Sequence, residues 1–278
     1  MSPMACFIFD DQLRPTPALL TLLASLNIQH DGTLPSIVKA TQKAWIIPNG
    51  VEYWHLQETI TDRDTIIELL NNLGCVRQIV PRNKQYDYAI VLGSILQGVR
   101  SRLAFLLDQW NQGMRFKTLV FLGSERLLYP EIESPQLLLN PEDQHYSFTD
   151  SAWEFSGMLP KSEFDMIKLV FDQTALPSGL EKVAVAFINT PNNSLTRRPN
   201  TIDTIKQWLN FLPVPGSCTF ISNQPFIGYQ DAAIESILPA QFSSETIGPT
   251  ADPNLIIAGY LDAIARWIYQ EYINSLKS

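Results

Sequence analysis

The chain has 278 residues, is 45% hydrophobic, and sets 20 Lys and Arg against 28 Asp and Glu for a formal net charge of −8. That size suffices for a full core in one large domain or in one domain with an appendage, and an acidic balance with no Lys/Arg-rich stripe argues against a phosphate-backbone partner, so no nucleic acid is expected. The opening MSPMACFIFDDQLRP lacks a basic region followed by an apolar one, no apolar run approaches the ~18 residues of a bilayer span, and Cys6, Cys75 and Cys218 are odd in number and far apart; the expectation is a cytoplasmic protein with reduced thiols and no membrane segment, in which the sequon at Asn192-Asn193-Ser194 has no meaning.

The first 80 residues are the least regular. CFIFD (6–10) is a candidate strand, and PALLTLLASLN (17–27) carries Leu at helical spacing after a proline start. AWIIPNGVEYWHL (44–56) has two apolar runs around Pro48-Asn49-Gly50, which predicts a hairpin or a strand leading into a loop. Thr61 or Asp62 is placed to cap a helix through Ile66, Ile67, Leu69, Leu70 and Leu73 that stops at Gly74. This reads as a smaller amino-terminal α/β subdomain over 1–80.

From Cys75 the rhythm is regular. VRQIV (76–80), YAIVL (88–92) and TLVFL (118–122) read as strands, and a helix over 99–112 lies between the last two. Apolar runs without alternation are strands buried on both faces, and a helix between them is the right-handed crossover of a parallel sheet. The pattern is then lost over 125–160, an insertion rich in Pro, Glu, Ser, Asp and aromatics whose length suits a lid or binding loop. Order returns with a helix over 162–173, a strand over 183–188, a helix over 201–209, a strand at 218–222, a helix over 229–238, a short strand at 245–247 and a closing helix over 254–276. The predicted fold is a three-layer Rossmann-like α/β sandwich with a mostly parallel sheet, occupying 81–278.

In such a sheet ligands bind beyond the carboxyl ends of the strands. The polar groups there are Gly93 and Ser94, followed by Arg100 and Arg102; Gly123 and Ser124, followed by Arg126; Asn189 with Thr190; and Ser222, Asn223 and Gln224. Glycine lets a backbone approach a ligand closely, and an arginine in the first turns of a helix adds to an end that already favours anions. The competing reading is plain turn chemistry with surface arginines. RRPNTID (197–203) is a second cluster in which Arg198, Asn200 and Thr201 suit an anionic or hydroxyl-rich ligand, against the plainer reading of a helix cap after a solvated loop. Glu163 and Asp203 are the acid/base candidates, although carboxylates in a first helical turn also complement the dipole.

A Ser-His-Asp relay from Ser94 or Ser124 to His145 lacks the G-x-S-x-G elbow, and no zinc, EF-hand, P-loop or G-x-G-x-x-G motif occurs. Tyr146, Trp153 and Phe155 in the insertion either stack on a base or sugar or anchor the loop to the domain.

Taken in order, IVLGS, SRLAFLLDQWNQG, LVFLGS, SEFDMI, NTIDTI and FISNQPFIGYQDA resemble the YdcF and SanA-like family, Rossmann-like bacterial proteins, over about residues 86–238. By this resemblance the family's strand-end glycines fall on Gly93 and Gly123, its helix arginine on Arg102, its Ser-Glu pair on Ser162-Glu163, its Asn-Thr pair on Asn200-Thr201 and its last strand end on Ser222. The chain departs from the pattern after the last strand, where Gln224-Pro225-Phe226 and Gln230 replace a histidine followed by an arginine. The resemblance implies a cleft for a nucleotide-type ligand, S-adenosylmethionine included. The expected function is binding of an anionic or nucleotide-like small molecule at the carboxyl edge of the sheet, as a transferase or hydrolase; the alternative is a non-catalytic metabolite sensor or protein-interaction module.

Overall fold

The computed structural model describes residues 4, 7–140, 148–192 and 197–277. The chain divides into two compact units, one formed by Met1–Gln78, Gln224–Ser236 and Thr250–Ser278, the other by Ile79–Asn223 and Ile237–Pro249.

The second unit holds a five-stranded parallel sheet: β1 (Gln85–Leu92), β2 (Arg115–Ser124), β3 (Ala184–Thr190), β4 (Ser217–Ile221) and β5 (Ser243–Ile247), in the order β3-β2-β1-β4-β5. The unalternating runs predicted this arrangement, because a strand covered on both faces has no polar side to show. On one face α4 (Leu96–Asn111) and α6 (Glu163–Asp172) pack over Val91, Leu119 and Phe121, with Leu103, Leu107, Met166 and Ile167 among the filling side chains. Strand side chains alternate between faces. Phe220, which points away from that layer, meets Trp208 of α7 (Thr201–Leu209) edge-on at 6.5 Å between ring centroids, and Trp208 meets Tyr88 at 5.5 Å. The sheet is thus covered on both sides, the three-layer sandwich that the sequence predicts. Phe121 stacks on Phe187 at 5.0 Å, tying β2 to β3.

Helix starts follow local chemistry. Ser162 and Asp165 form a capping box on α6, and Asn200 and Asp203 another on α7. Helix α4 starts after Ile95, which offers no capping side chain, and its first N–H is answered from far along the chain. Among its described residues the insertion carries one short helix, α5 (Pro135–Leu139), and Trp153 packs against the core, which favours the anchoring reading of that aromatic. His145 and Tyr146 lie outside the described residues, as do Asn193 and Ser194.

The first unit is helical: α1 (Pro17–Ser25), α2 (Leu34–Trp45), α3 (Arg63–Asn72), α8 (Ile227–Glu235) and α9 (Ile257–Ser275). The strand expected at 6–10 is reduced, among its described residues, to a single bridge from Phe9 to Pro15. No hairpin forms over 44–56. Trp45 ends α2, the Pro48-Asn49-Gly50 turn is present, with Gly50 at φ +84°, and Tyr53–His55 is one turn of 3₁₀ helix. In the second unit the strand expected at 76–80 is only an antiparallel bridge from Ile79 to Gly248. No helix among the described residues is long and apolar enough to cross a membrane.

Glu271 on α9 is buried, and its carboxyl is pushed up to about 7 by burial, with the Glu235 charge adding to the shift and a hydrogen bond donated by Trp267 Nε1 at 3.2 Å opposing it. A carboxyl whose folded value exceeds the unfolded one near 4.5 contributes stability that is fully present below pH 4.5 and lost as pH rises through 7. Glu271→Gln should therefore match the parent near pH 5 and exceed it by about 2–3 kcal/mol above pH 8, read from urea midpoints at the two pH values. A parent advantage at pH 8 would contradict this.

Candidate functional site

The connections from β1 run to β2 and β3 on one side, while β4 and β5 lie on the other, so the crossovers diverge between β1 and β4. This is where an open α/β sheet leaves a crevice. Arg102, 2% exposed, lies across it: Nη1 donates to the carbonyls of Leu92 at 2.8 Å and Gly93 at 2.5 Å, and Nε donates to Asn223 Oδ1 at 2.8 Å. One guanidinium thereby pins the ends of two neighbouring strands. Its burial lowers its pKa to about 10, opposed by the charge of Glu163. Gly93, Ser94 and Asn223 stay half-buried at this position, and Ser222 is fully buried.

The second focus is Glu163 at the start of α6. Its Oε2 accepts from the Ser124 N–H at 3.0 Å and the Ser124 hydroxyl at 2.5 Å, and its Oε1 lies 4.0 Å from Arg126 Nη2. Burial raises its carboxyl pKa, while Arg126, the Ser124 hydroxyl and Arg102 pull the other way. The glycines make this approach feasible. A Cβ on Gly93 would come within 2.8 Å of both Glu163 Oε1 and the Leu122 carbonyl, and one on Gly123 within 2.9 Å of Ile167 Cδ1 and 3.1 Å of Phe164 Cα. Both strand-end glycines open room for α6, and only then for anything else.

Arg126, 8% exposed, makes a two-pronged ion pair with Glu133 at 2.8 and 2.9 Å. Glu133 also accepts from the N–H groups of Leu96 at 3.1 Å and Tyr129 at 2.7 Å. The chain's own carboxylate thus occupies the positive end of α4, where an external anion was expected. Arg100 donates to the carbonyls of Leu137 and Leu138 at 3.1 and 3.3 Å, a structural use of the same kind.

Arg198 reaches the same neighbourhood: it donates to the Tyr129 hydroxyl, and Arg126 stacks on the Tyr129 ring at 4.8 Å. Asn200 and Asp203 are engaged in their capping box, with Asp203 also paired to Arg197, which lowers its pKa; Thr201 is the first residue of α7. Asn189 donates to Glu125 Oε1 at 3.2 Å. Gln224 belongs to the other unit, where its Nε2 donates to the carbonyls of Gly74 at 2.6 Å and Arg77 at 2.9 Å.

Gly93, Ser94, Arg102, Ser124, Arg126, Glu163 and Asn223 therefore form one connected set, joined by Glu133 and Tyr129, which nothing local in the sequence singles out. The arrangement offers a buried carboxyl held ready to keep or release a proton, two serine hydroxyls, and cationic groups whose hydrogen bonds go largely to the chain itself. Among the described residues no group of three or more His, Cys, Asp or Glu side chains is placed to hold a metal ion. No protein-family model and no curated protein matches the chain.

Proposed function

We propose that this protein binds an anionic or nucleotide-like small molecule at the carboxyl edge of the sheet, with Ser94, Ser124 and Asn223 supplying hydrogen bonds and Glu163 acting as the proton-transfer group of a transferase or hydrolase. The observation that carries the reading is the position of Glu163: a buried carboxyl with a raised pKa, beside a strand-end serine and next to the crevice between β1 and β4. The order of motifs that resembles the YdcF and SanA-like family supports it, and makes S-adenosylmethionine and nucleotides the first ligands to try. A non-catalytic metabolite sensor is the second reading, favoured by the arginines, whose charges are spent on internal partners. In either case we place the protein in the cytoplasm, where the buried Cys75 and Cys218 stay free thiols.

Glu163→Gln tests the first reading. For a proton-transfer group, the variant should keep its fold by circular dichroism, bind adenosine monophosphate or S-adenosylmethionine about tenfold more weakly in calorimetry, and lose the parent's pH dependence of binding between pH 5 and 8. Binding equal to the parent at every pH would remove Glu163 from the site. Failure of the parent to bind any nucleotide, nucleotide sugar or S-adenosylmethionine would remove the ligand reading altogether.

A further inference from the structure

Beside Ser124 lies a hydroxyl with no partner among the described residues. Thr190 is the last residue of β3, is 6% exposed, and its Oγ1 makes no hydrogen bond among the described residues. It stands in register with Ser124 across the parallel ladder, about 4.8 Å away strand to strand. The Ser124 hydroxyl already donates to Glu163 and accepts the Arg126 N–H at 3.3 Å, which leaves it a single acceptor position. At the same strand end Asn189 Oδ1 is also buried without a partner among the described residues. Its Nδ2 donates to Glu125, so the amide cannot be turned round without setting its oxygen against a carboxylate.

Two other orphan hydroxyls, Thr219 and Thr246, lie inside β4 and β5 and not at a last residue. Thr190 differs because its strand end opens on the ligand edge. A buried hydroxyl left unpaired costs stability, and such a cost persists where binding needs the group. The flanking carboxylates, Glu125 and Glu163, disfavour a phosphate at this position and suit a neutral group that donates.

We propose that Thr190 Oγ1 accepts a hydroxyl group of the ligand, so that the molecule bound at this edge carries a hydroxyl-bearing part, of the ribose or sugar kind, over the ends of β2 and β3. The inference rests on the carboxyl edge being a ligand site. Its test uses Thr190→Val, which keeps the shape and removes the hydroxyl, with Thr190→Ser as the rescue. The unliganded valine variant should melt about 2–4 °C above the parent, because the orphan hydroxyl is gone. It should bind adenosine monophosphate about tenfold more weakly, the serine variant should restore binding, and the 2′,3′-dideoxy analogue should bind parent and valine variant alike. If the valine variant melts below the parent, or binds adenosine monophosphate as the parent does, the inference falls and the ligand site stands. If the parent binds another ligand of the screen but not adenosine monophosphate, the inference falls alone; if it binds no nucleotide, nucleotide sugar or S-adenosylmethionine, the site reading falls and takes the inference with it.

Discussion

Glu133→Ala should lower folding stability by about 3–5 kcal/mol, the cost of stranding a buried charge by removing its partner. Glu133 is 2% exposed and answers four donors: both terminal nitrogens of Arg126, the first N–H of α4 and the N–H of Tyr129. Without it Arg126 keeps, among the described residues, the carbonyls of Leu127 and Ser94 at 2.9 and 3.3 Å, the Tyr129 ring, and a distant Glu163 at 4.0 Å. The first N–H of α4 loses its acceptor, since Ile95 supplies no capping side chain. Urea unfolding measures the loss. The double variant Arg126→Met/Glu133→Leu should recover most of it, because no lone charge is then buried. A single-variant loss below about 1 kcal/mol would mean that the pair is hydrated and weak.

Gly248→Ala should cost about 2–4 kcal/mol and disturb the candidate site at once. Its Cβ would stand 2.2 Å from the Ser222 carbonyl oxygen, 2.7 Å from the Ser222 carbonyl carbon and 3.1 Å from the Asn223 nitrogen. All three atoms are backbone, so no side chain can turn aside. Relief requires the end of β4 to move away from Gly248, which strains the paired hydrogen bonds with Ile79 at 2.9 and 3.0 Å and the Ser222 to Ile247 bond at 2.9 Å. Asn223 would shift as well, and with it the Oδ1 that receives Arg102 Nε. Gly32→Ala is the control: it has φ +88° but open space around the added carbon, so only the left-handed backbone is strained, for about 1 kcal/mol. A loss at Gly248 no larger than at Gly32 would show that the backbone at the end of β4 yields readily to the added carbon.

Much of the fold was legible because the cues are local. The runs at 88–92 and 118–122 carry their burial in their composition, and α7 begins and ends where Asn200 and the apolar spacing put it. The first unit was harder. In α2 a buried stripe of Ile37, Val38, Thr41 and Trp45 is diluted by Lys39, Gln42 and Lys43, and the aromatic at its end draws attention to the turn that follows. The apolar segment 76–80 has strand composition, yet β1 is already paired on both edges by β2 and β4, and Pro81 follows directly. A strand needs a partner as well as a pattern.

The site divides the same way. Residue types at strand ends point to Ser124 and the glycines, because a parallel sheet places its carboxyl ends on one edge whatever the loops do, and Glu163 is singled out as a carboxylate in the first turn of a helix. What each group does there depends on contacts between residues far apart in the chain: Glu133 meets Leu96 across 37 positions and Asn223 meets Arg102 across 121. From Tyr88 onward sequence alone determined the order of strands and helices and the parallel sheet, since hydrophobic period and capping act over a few residues. Only the tertiary structure decided that the arginines bind the chain itself and that the end of α4 is filled by its own carboxylate. Long-range ion pairing follows from the packed positions of the partners, and no local spacing encodes it.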